Sequence, residues 1–138
     1  MATSSPLTGG CHCGRVRFRI DAPLRAARSC HCSRCRKIFS GAGSAYAEIV
    51  PGSLVWTAGA DERTIYSTTP GWGLAFCRTC GSTLCGLAGD EVHGVTLGSI
   101  DGDPGVQLEA HLFVGSKASW DHIGGDAPQY HEHAPARR

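Results

Sequence analysis

Three cysteines fall within six residues at Cys30-His31-Cys32-Ser33-Arg34-Cys35, and this crowding constrains the chain more than any hydrophobic pattern in it. Thiolates hold a soft divalent ion such as zinc about 2.3 Å away in a tetrahedron, and short Cys-x-Cys and Cys-x-x-Cys spacings let the backbone wrap one ion. Three ligands leave a fourth position for water or substrate, and that vacancy separates catalytic from structural zinc centres. Two further pairs, Cys11-His12-Cys13 and Cys77-Arg78-Thr79-Cys80, together supply a set of four. The expectation is one closed zinc and one open zinc.

Eight cysteines in 138 residues also suit a disulfide framework of the kind found in small secreted proteins. Two features weigh against it. The start Met1-Ala2-Thr3-Ser4-Ser5-Pro6 has no basic residue, apolar run or cleavage site, so a reducing cytoplasmic setting is expected. Cys-x-Cys residues in an extended segment also stand about 6.6 Å apart at Cα, at the far edge of disulfide geometry, which makes them poor partners for each other.

At this length one domain with its own core is expected, so two zinc ions would add shape and chemistry to a fold that does not need staples. The formal net charge of +1 becomes −2 once seven thiolates and two Zn²⁺ are counted. Nucleic-acid binding normally needs a concentrated basic face, and none is expected here. The alternating Arg15, Arg17 and Arg19 read as the solvated face of a strand. No apolar stretch approaches the roughly 20 residues that span a bilayer, so no membrane partner is expected.

Along the chain, residues 1–8 read as a loose tail, 9–130 as a single domain and 131–138 as a second tail. Gly9-Gly10 and Gly14 flank the first cysteine knuckle, allowing a tight turn whose amides face the sulfurs. Arg15 to Ile20 alternates polar and apolar, giving a half-buried strand with Val16, Phe18 and Ile20 inward. A strand from Leu24 to Ser29 leads into the three-cysteine nest, and Ser33 to Phe39 reads as a short helical turn closed by Ser40-Gly41. Ala45 to Ile49, Leu54 to Thr57, Arg63 to Thr68, Ser82 to Leu87, Val92 to Leu97 and Leu108 to Val114 read as further strands, and Pro70 to Gly73 as a loop. The fold class is mainly β: small antiparallel sheets tied by zinc knuckles, with little helix.

The series Gly10-Cys11-His12-Cys13-Gly14-x-Val16-x-Phe18, Cys30-His31-Cys32-Ser33-x-Cys35-Arg36-Lys37 and Phe76-Cys77-x-x-Cys80-Gly81-Ser82 resembles the glutathione-dependent formaldehyde-activating enzyme family, which shares its domain with centromere protein V. Gly98-Ser99-Ile100-Asp101 and His111-Leu112-Phe113-Val114-x-Ser116-Lys117-Ala118-x-Trp120 continue the likeness, which covers roughly residues 9–130. The resemblance implies a β-rich, tent-like zinc fold in which Cys11, Cys13, Cys77 and Cys80 hold the structural ion. Cys30, Cys32 and Cys35 would hold the ion at the active site. It further implies carbon–sulfur lyase chemistry, with glutathione or a similar small-molecule thiol adding to a small aldehyde such as formaldehyde. One departure is visible: the family pattern carries an arginine two positions before the Phe of the second knuckle, where this chain has Leu74.

Three thiolates and Zn²⁺ carry a net −1, which blunts the ion as a carbonyl activator and favours it as a holder and deprotonator of an incoming thiol. Glu48, Asp101 and Asp126 read as turn or edge carboxylates, and none is assigned as a base. Cys85 is expected to pack as a small hydrophobe rather than ligate. His12 and His31 should point away from the ions, and His131-Glu132-His133 should belong to the tail. Trp72 and Trp120 are candidates for a pocket wall or for rim packing. The rival reading is a non-catalytic zinc-knuckle interaction module, which predicts a closed second site. A redox enzyme of the methionine sulfoxide reductase type would need a catalytic cysteine on a late strand, and none follows Cys85.

Overall fold

The computed structural model describes residues 5–136. Residues 1–4 and 137–138, the outer ends of the two expected tails, lie outside the described residues. The elements in chain order are β1 (Leu7–Gly10), β2 (Arg17–Ile20), β3 (Arg25–Cys30), α1 (Ser33–Phe39), β4 (Ser44–Glu48), β5 (Leu54–Ala58), β6 (Arg63–Tyr66), β7 (Gly73–Cys77), β8 (Thr83–Ala88), β9 (Glu91–Thr96) and β10 (Ala110–Leu112). The protein is mainly β, as the alternation of its sequence predicts. Within the span 9–130 the residues group into two compact units, one combining the chain up to Arg25 with Ala47–Val106, the other Ala26–Tyr46 with the chain from Gln107 onward.

The first unit carries a three-stranded sheet ordered β1-β2-β5 and an antiparallel run β9-β8-β7-β6. The inward alternation of β2 and its lead-in holds: Val16, Phe18 and Ile20 are fully buried. Phe18 meets Trp56 of β5 edge-to-face at 6.0 Å, and Trp56 packs against the cluster of Ala75, Cys85 and Leu87. Edge-to-face packing of this kind adds about 0.5–1.5 kcal/mol beyond burial. Arg63 lies 4.3 Å over the Trp56 ring and covers it from solvent. The outward arginines of β2 are tied down locally, Arg17 to Asp101 and Arg19 to Asp21. Such exposed pairs contribute at most about 1 kcal/mol each.

Two strands differ from the sequence expectation. β1 begins at Leu7, inside the stretch assigned to the N-terminal tail, because Leu7 and Thr8 pair with Ile20 and Arg19 and Thr8 donates to Asp101. β7 begins at Gly73, the last residue of the stretch read as a loop, and runs through the lead-in to the second knuckle, where no strand was expected, since Gly73 and Leu74 pair with Leu87 and Gly86. In both cases glycines mask the strand in sequence, whereas here they admit a close neighbour: a Cβ at Gly9 would collide with the Ser99 carbonyl and the Phe18 ring.

The second unit is smaller. β3 pairs with β10 in parallel register, Ser29 opposite His111 and Cys30 opposite Leu112, where an antiparallel arrangement was expected. Residues 131–133, assigned by sequence to the C-terminal tail, run beside the end of β10. Phe113 N–H donates to the Glu132 carbonyl, and the Phe113 and His133 rings meet edge-to-face at 4.8 Å. No helix among the described residues is long and apolar enough to cross a membrane.

Candidate metal centres

The four-cysteine cluster lies in the first unit. Cys11 follows β1, Cys13 sits in the turn behind it, Cys77 ends β7 and Cys80 closes the next turn. Their sulfurs all lie within 4.8 Å of one another, with Cys11 Sγ 3.6 Å from Cys13 Sγ and Cys13 Sγ 3.8 Å from Cys77 Sγ. Four sulfurs held about 2.3 Å from one ion at tetrahedral angles would sit about 3.8 Å apart, so this set is compatible with zinc.

Backbone conformation makes each half of this cluster. Gly14 and Gly81 adopt positive φ (82° and 81°), and their amides close the turns onto the carbonyls of Cys11 and Cys77. Val16 N–H donates to Cys11 Sγ at 3.3 Å, offsetting the burial that would otherwise hold this thiol neutral, and the net effect lowers its pKa. Ser82 joins the halves: its Oγ accepts from His12 N–H at 3.0 Å and lies 3.2 Å from Cys80 Sγ. The Ser82 hydroxyl and amide together pull Cys80 down to about 5. Glu62 anchors the second turn, accepting from Arg78 Nε at 3.0 Å and from Thr79 Oγ1.

The three-cysteine cluster lies in the second unit and is built from one continuous segment. Cys30 ends β3, Cys32 caps α1 and Cys35 stands in its first turn, and the three sulfurs fall within 4.8 Å. Cys32 Sγ accepts from Cys35 N–H at 3.3 Å, taking the place a Ser or Asp side chain usually fills at a helix start. The Cys30 thiol donates to Cys35, with lesser help from Ser44 and Arg34, and Cys35 falls to about 5 while Cys30 is pushed up. Two of the three residues, Cys32 and Cys35, are only partly buried, so the segment that carries the cluster borders solvent. Among the described residues no other His, Cys, Asp or Glu joins it.

Under this segment lies a feature that sequence reading missed. His31 is buried with Nε2 3.0 Å from Nδ1 of buried His111, while its own Nδ1 has no partner among the described residues. His31 N–H also donates to the Leu112 carbonyl. His31 is therefore turned into the unit as a packing element. Gly43 is required beside it, because a Cβ there would strike the Cys30 carbonyl oxygen.

The other singled-out residues fall outside both clusters. Cys85 is fully buried against Ala75 and Leu87, and burial pushes its thiol up to about 12. Asp101 pairs with Arg17, Glu48 faces Arg25 at 3.8 Å, and Asp126 is exposed. Trp72 meets Tyr66 edge-to-face, and Trp120 is 69% exposed. Leu74 lies on β7 opposite Tyr66.

Fold and site define a small β protein with two separate thiol clusters, one of four sulfurs and one of three. The glutathione-dependent formaldehyde-activating enzyme family model matches residues 6–116, and the chain belongs to that family. It is 33% identical over 127 residues, 85% of this chain and 80% of the relative, to a Halomonas elongata protein provisionally named a glutathione-dependent formaldehyde-activating enzyme. It also resembles the crystal structure of a Rhodobacter sphaeroides protein, with 31% identity and a TM-score of 0.55, over 70% of this chain and 89% of that one.

Proposed function

We propose that this chain is a zinc-dependent, cytoplasmic enzyme of the carbon–sulfur lyase type that adds glutathione or a similar thiol to a small aldehyde such as formaldehyde. The observation that carries the reading is the unequal ligand count in a member of this family: four sulfurs in one cluster, three in the other. Cys11, Cys13, Cys77 and Cys80 would hold the structural ion, and Cys30, Cys32 and Cys35 the ion at the active site. A zinc ion held by three thiolates, net −1 with its ligands, would supply an open coordination position that lowers the pKa of an incoming thiol.

The chain's own residues then have three tasks. Cys32 fixes the start of α1 through its bond from Cys35 N–H, which holds the nest open on its solvent side. His31, locked to His111 and Leu112, keeps the backbone between Cys30 and Cys32 from relaxing. Ser44 supplies a hydroxyl contact to Cys35. The reaction itself balances simply: the thiolate sulfur attacks the carbonyl carbon, the carbonyl π pair moves to oxygen, and that oxygen takes up one proton in place of the one the thiol gave up. The product is a hemithioacetal, with no change of oxidation state.

The test is elemental analysis of chelator-free protein joined to a thiol and aldehyde panel. Two zinc equivalents and thiol-dependent consumption of formaldehyde are expected. No acceleration of hemithioacetal formation with any thiol, from protein carrying both ions, would overturn the proposal.

A further inference from the structure

The tripeptide Cys-His-Cys occurs once in each cluster, at Cys11-His12-Cys13 and at Cys30-His31-Cys32, and the two histidines are treated oppositely. His12 is exposed and is held through its backbone N–H, which donates to Ser82 Oγ. His31 is only 4% exposed and is held at two points: its backbone N–H donates to the Leu112 carbonyl at 2.9 Å, and its Nε2 lies 3.0 Å from His111 Nδ1. Burying an imidazole is unfavourable unless its polar atoms find partners, so the contact with His111 is what permits His31 to face inward.

The direction of that contact follows from the other ring nitrogen. His31 Nδ1 is buried with no partner among the described residues. A buried N–H without an acceptor is rare in native structures, whereas an unfilled lone pair is tolerated more often. The proton of neutral His31 therefore sits on Nε2 and is donated to His111 Nδ1. His111 offers a fixed acceptor, because its main chain is held on the other side: its N–H donates to the Pro128 carbonyl at 2.8 Å, and its own carbonyl accepts from Tyr130 N–H at 2.9 Å.

The contact governs the cysteines on either side of His31. Along extended backbone, residues i and i+2 share a face and the residue between them takes the other. With His31 turned into the unit, Cys30 and Cys32 leave the opposite face together, and their sulfurs meet that of Cys35 within 4.8 Å. Releasing the ring would let His31 rotate and carry both flanking thiols with it. We propose that His111 is a positioning residue for the three-cysteine centre: its Nδ1 holds the His31 ring inward and thereby sets how tightly Cys30, Cys32 and Cys35 retain zinc. The inference rests on the proposed zinc at that centre and is independent of which thiol and aldehyde react.

Long-range nitrogen NMR of the two-zinc protein should place the His31 proton on Nε2, with a coupling across the hydrogen bond to His111 Nδ1. A His31 ring protonated at Nδ1 overturns the inference whether or not any variant folds. Zinc release to the chelating dye pyridylazoresorcinol then separates the centres, the three-sulfur phase being the one that Cys32→Ser abolishes. Residues that orient metal ligands are typically worth about 10–100-fold in metal affinity. His111→Leu, which keeps the bulk and loses the acceptor, should weaken zinc retention in that phase at least tenfold and leave the four-sulfur phase unchanged. His111→Asn, whose Oδ1 falls where Nδ1 stood, should restore retention to within a few-fold of wild type. Unchanged retention in a folded His111→Leu, or equal losses in the Leu and Asn variants, overturns the inference. A wild type that holds a single zinc removes the proposed open centre and the inference together, whereas two zincs without turnover count against the proposed reaction alone.

Discussion

The two cysteine clusters use the same chemistry at opposite ends of a scale of sequence separation. In the first, Cys13 and Cys77 are 64 residues apart, and the cluster joins the turn after β1 to the turn after β7. In the second, all three sulfurs come from six consecutive residues and the only loop closed is the first turn of α1. A cross-link that closes a long loop removes much conformational entropy from the unfolded chain, and one that closes a short loop removes little. The long-range cluster is therefore the one that can hold the fold together, and the local cluster is free to serve chemistry. Ligand count agrees with that division: the long-range set is complete at four and the local set stops at three.

The largest effect should come from breaking the long-range cluster. Cys77→Ser is expected to lose about 4 kcal/mol of stability, the scale of a cross-link over a loop of this length, and to appear as a low-melting or insoluble protein by calorimetry. Gly43→Ala sharpens the contrast from the other side, since it disturbs the local cluster without removing a sulfur. The collision with the Cys30 carbonyl should destabilise the protein by about 1–3 kcal/mol and bring zinc from two equivalents towards one, as read by elemental analysis.

Smaller effects separate packing from ligation. Cys85→Ala empties a little of the core around Ala75 and Leu87 and should destabilise by about 1 kcal/mol with metal content unchanged. Loss of a zinc equivalent would make Cys85 a ligand. The least effect concerns pH. Burial, and then the neighbouring His31, hold His111 below its usual 6.5, with Asp121 opposing them. The folded chain thus binds fewer protons than the unfolded one, so this contribution is full above pH 6.5 and is lost as pH falls below it. Melting curves from pH 7.5 to 5.5 should therefore fall more steeply for wild type than for His111→Asn, by under about 1 kcal/mol; parallel slopes would contradict the assignment.

The grouping of the sulfurs was legible in the sequence because cysteine spacing and strand alternation are local signals. Cysteine spacing alone separates the four-sulfur set from the three-sulfur set, and the alternation from Val16 to Ile20 gives the buried face of β2. What escaped was set by partners far along the chain. β1 and β7 are rich in glycine and exist because of the strands beside them. Ser82 and Glu62 support the closed cluster, but nothing in their flanking residues marks a serine that bridges two turns or a carboxylate that anchors one. His31 lies between two cysteines, and its role depends on His111, 80 residues later. The parallel pairing of β3 with β10 arises the same way, since no local pattern specifies strand direction.

The central claim is that one cluster is closed by four sulfurs and the other keeps a position for an incoming thiol. Zinc X-ray absorption on the two-zinc protein measures the mean sulfur coordination directly. Clusters of four and three sulfurs give a mean of about 3.5, and saturating glutathione should raise it to about 4 as its sulfur joins the three-cysteine centre. A mean that starts at 4, or that stays near 3.5 with glutathione present, would contradict an open centre built on Cys30, Cys32 and Cys35.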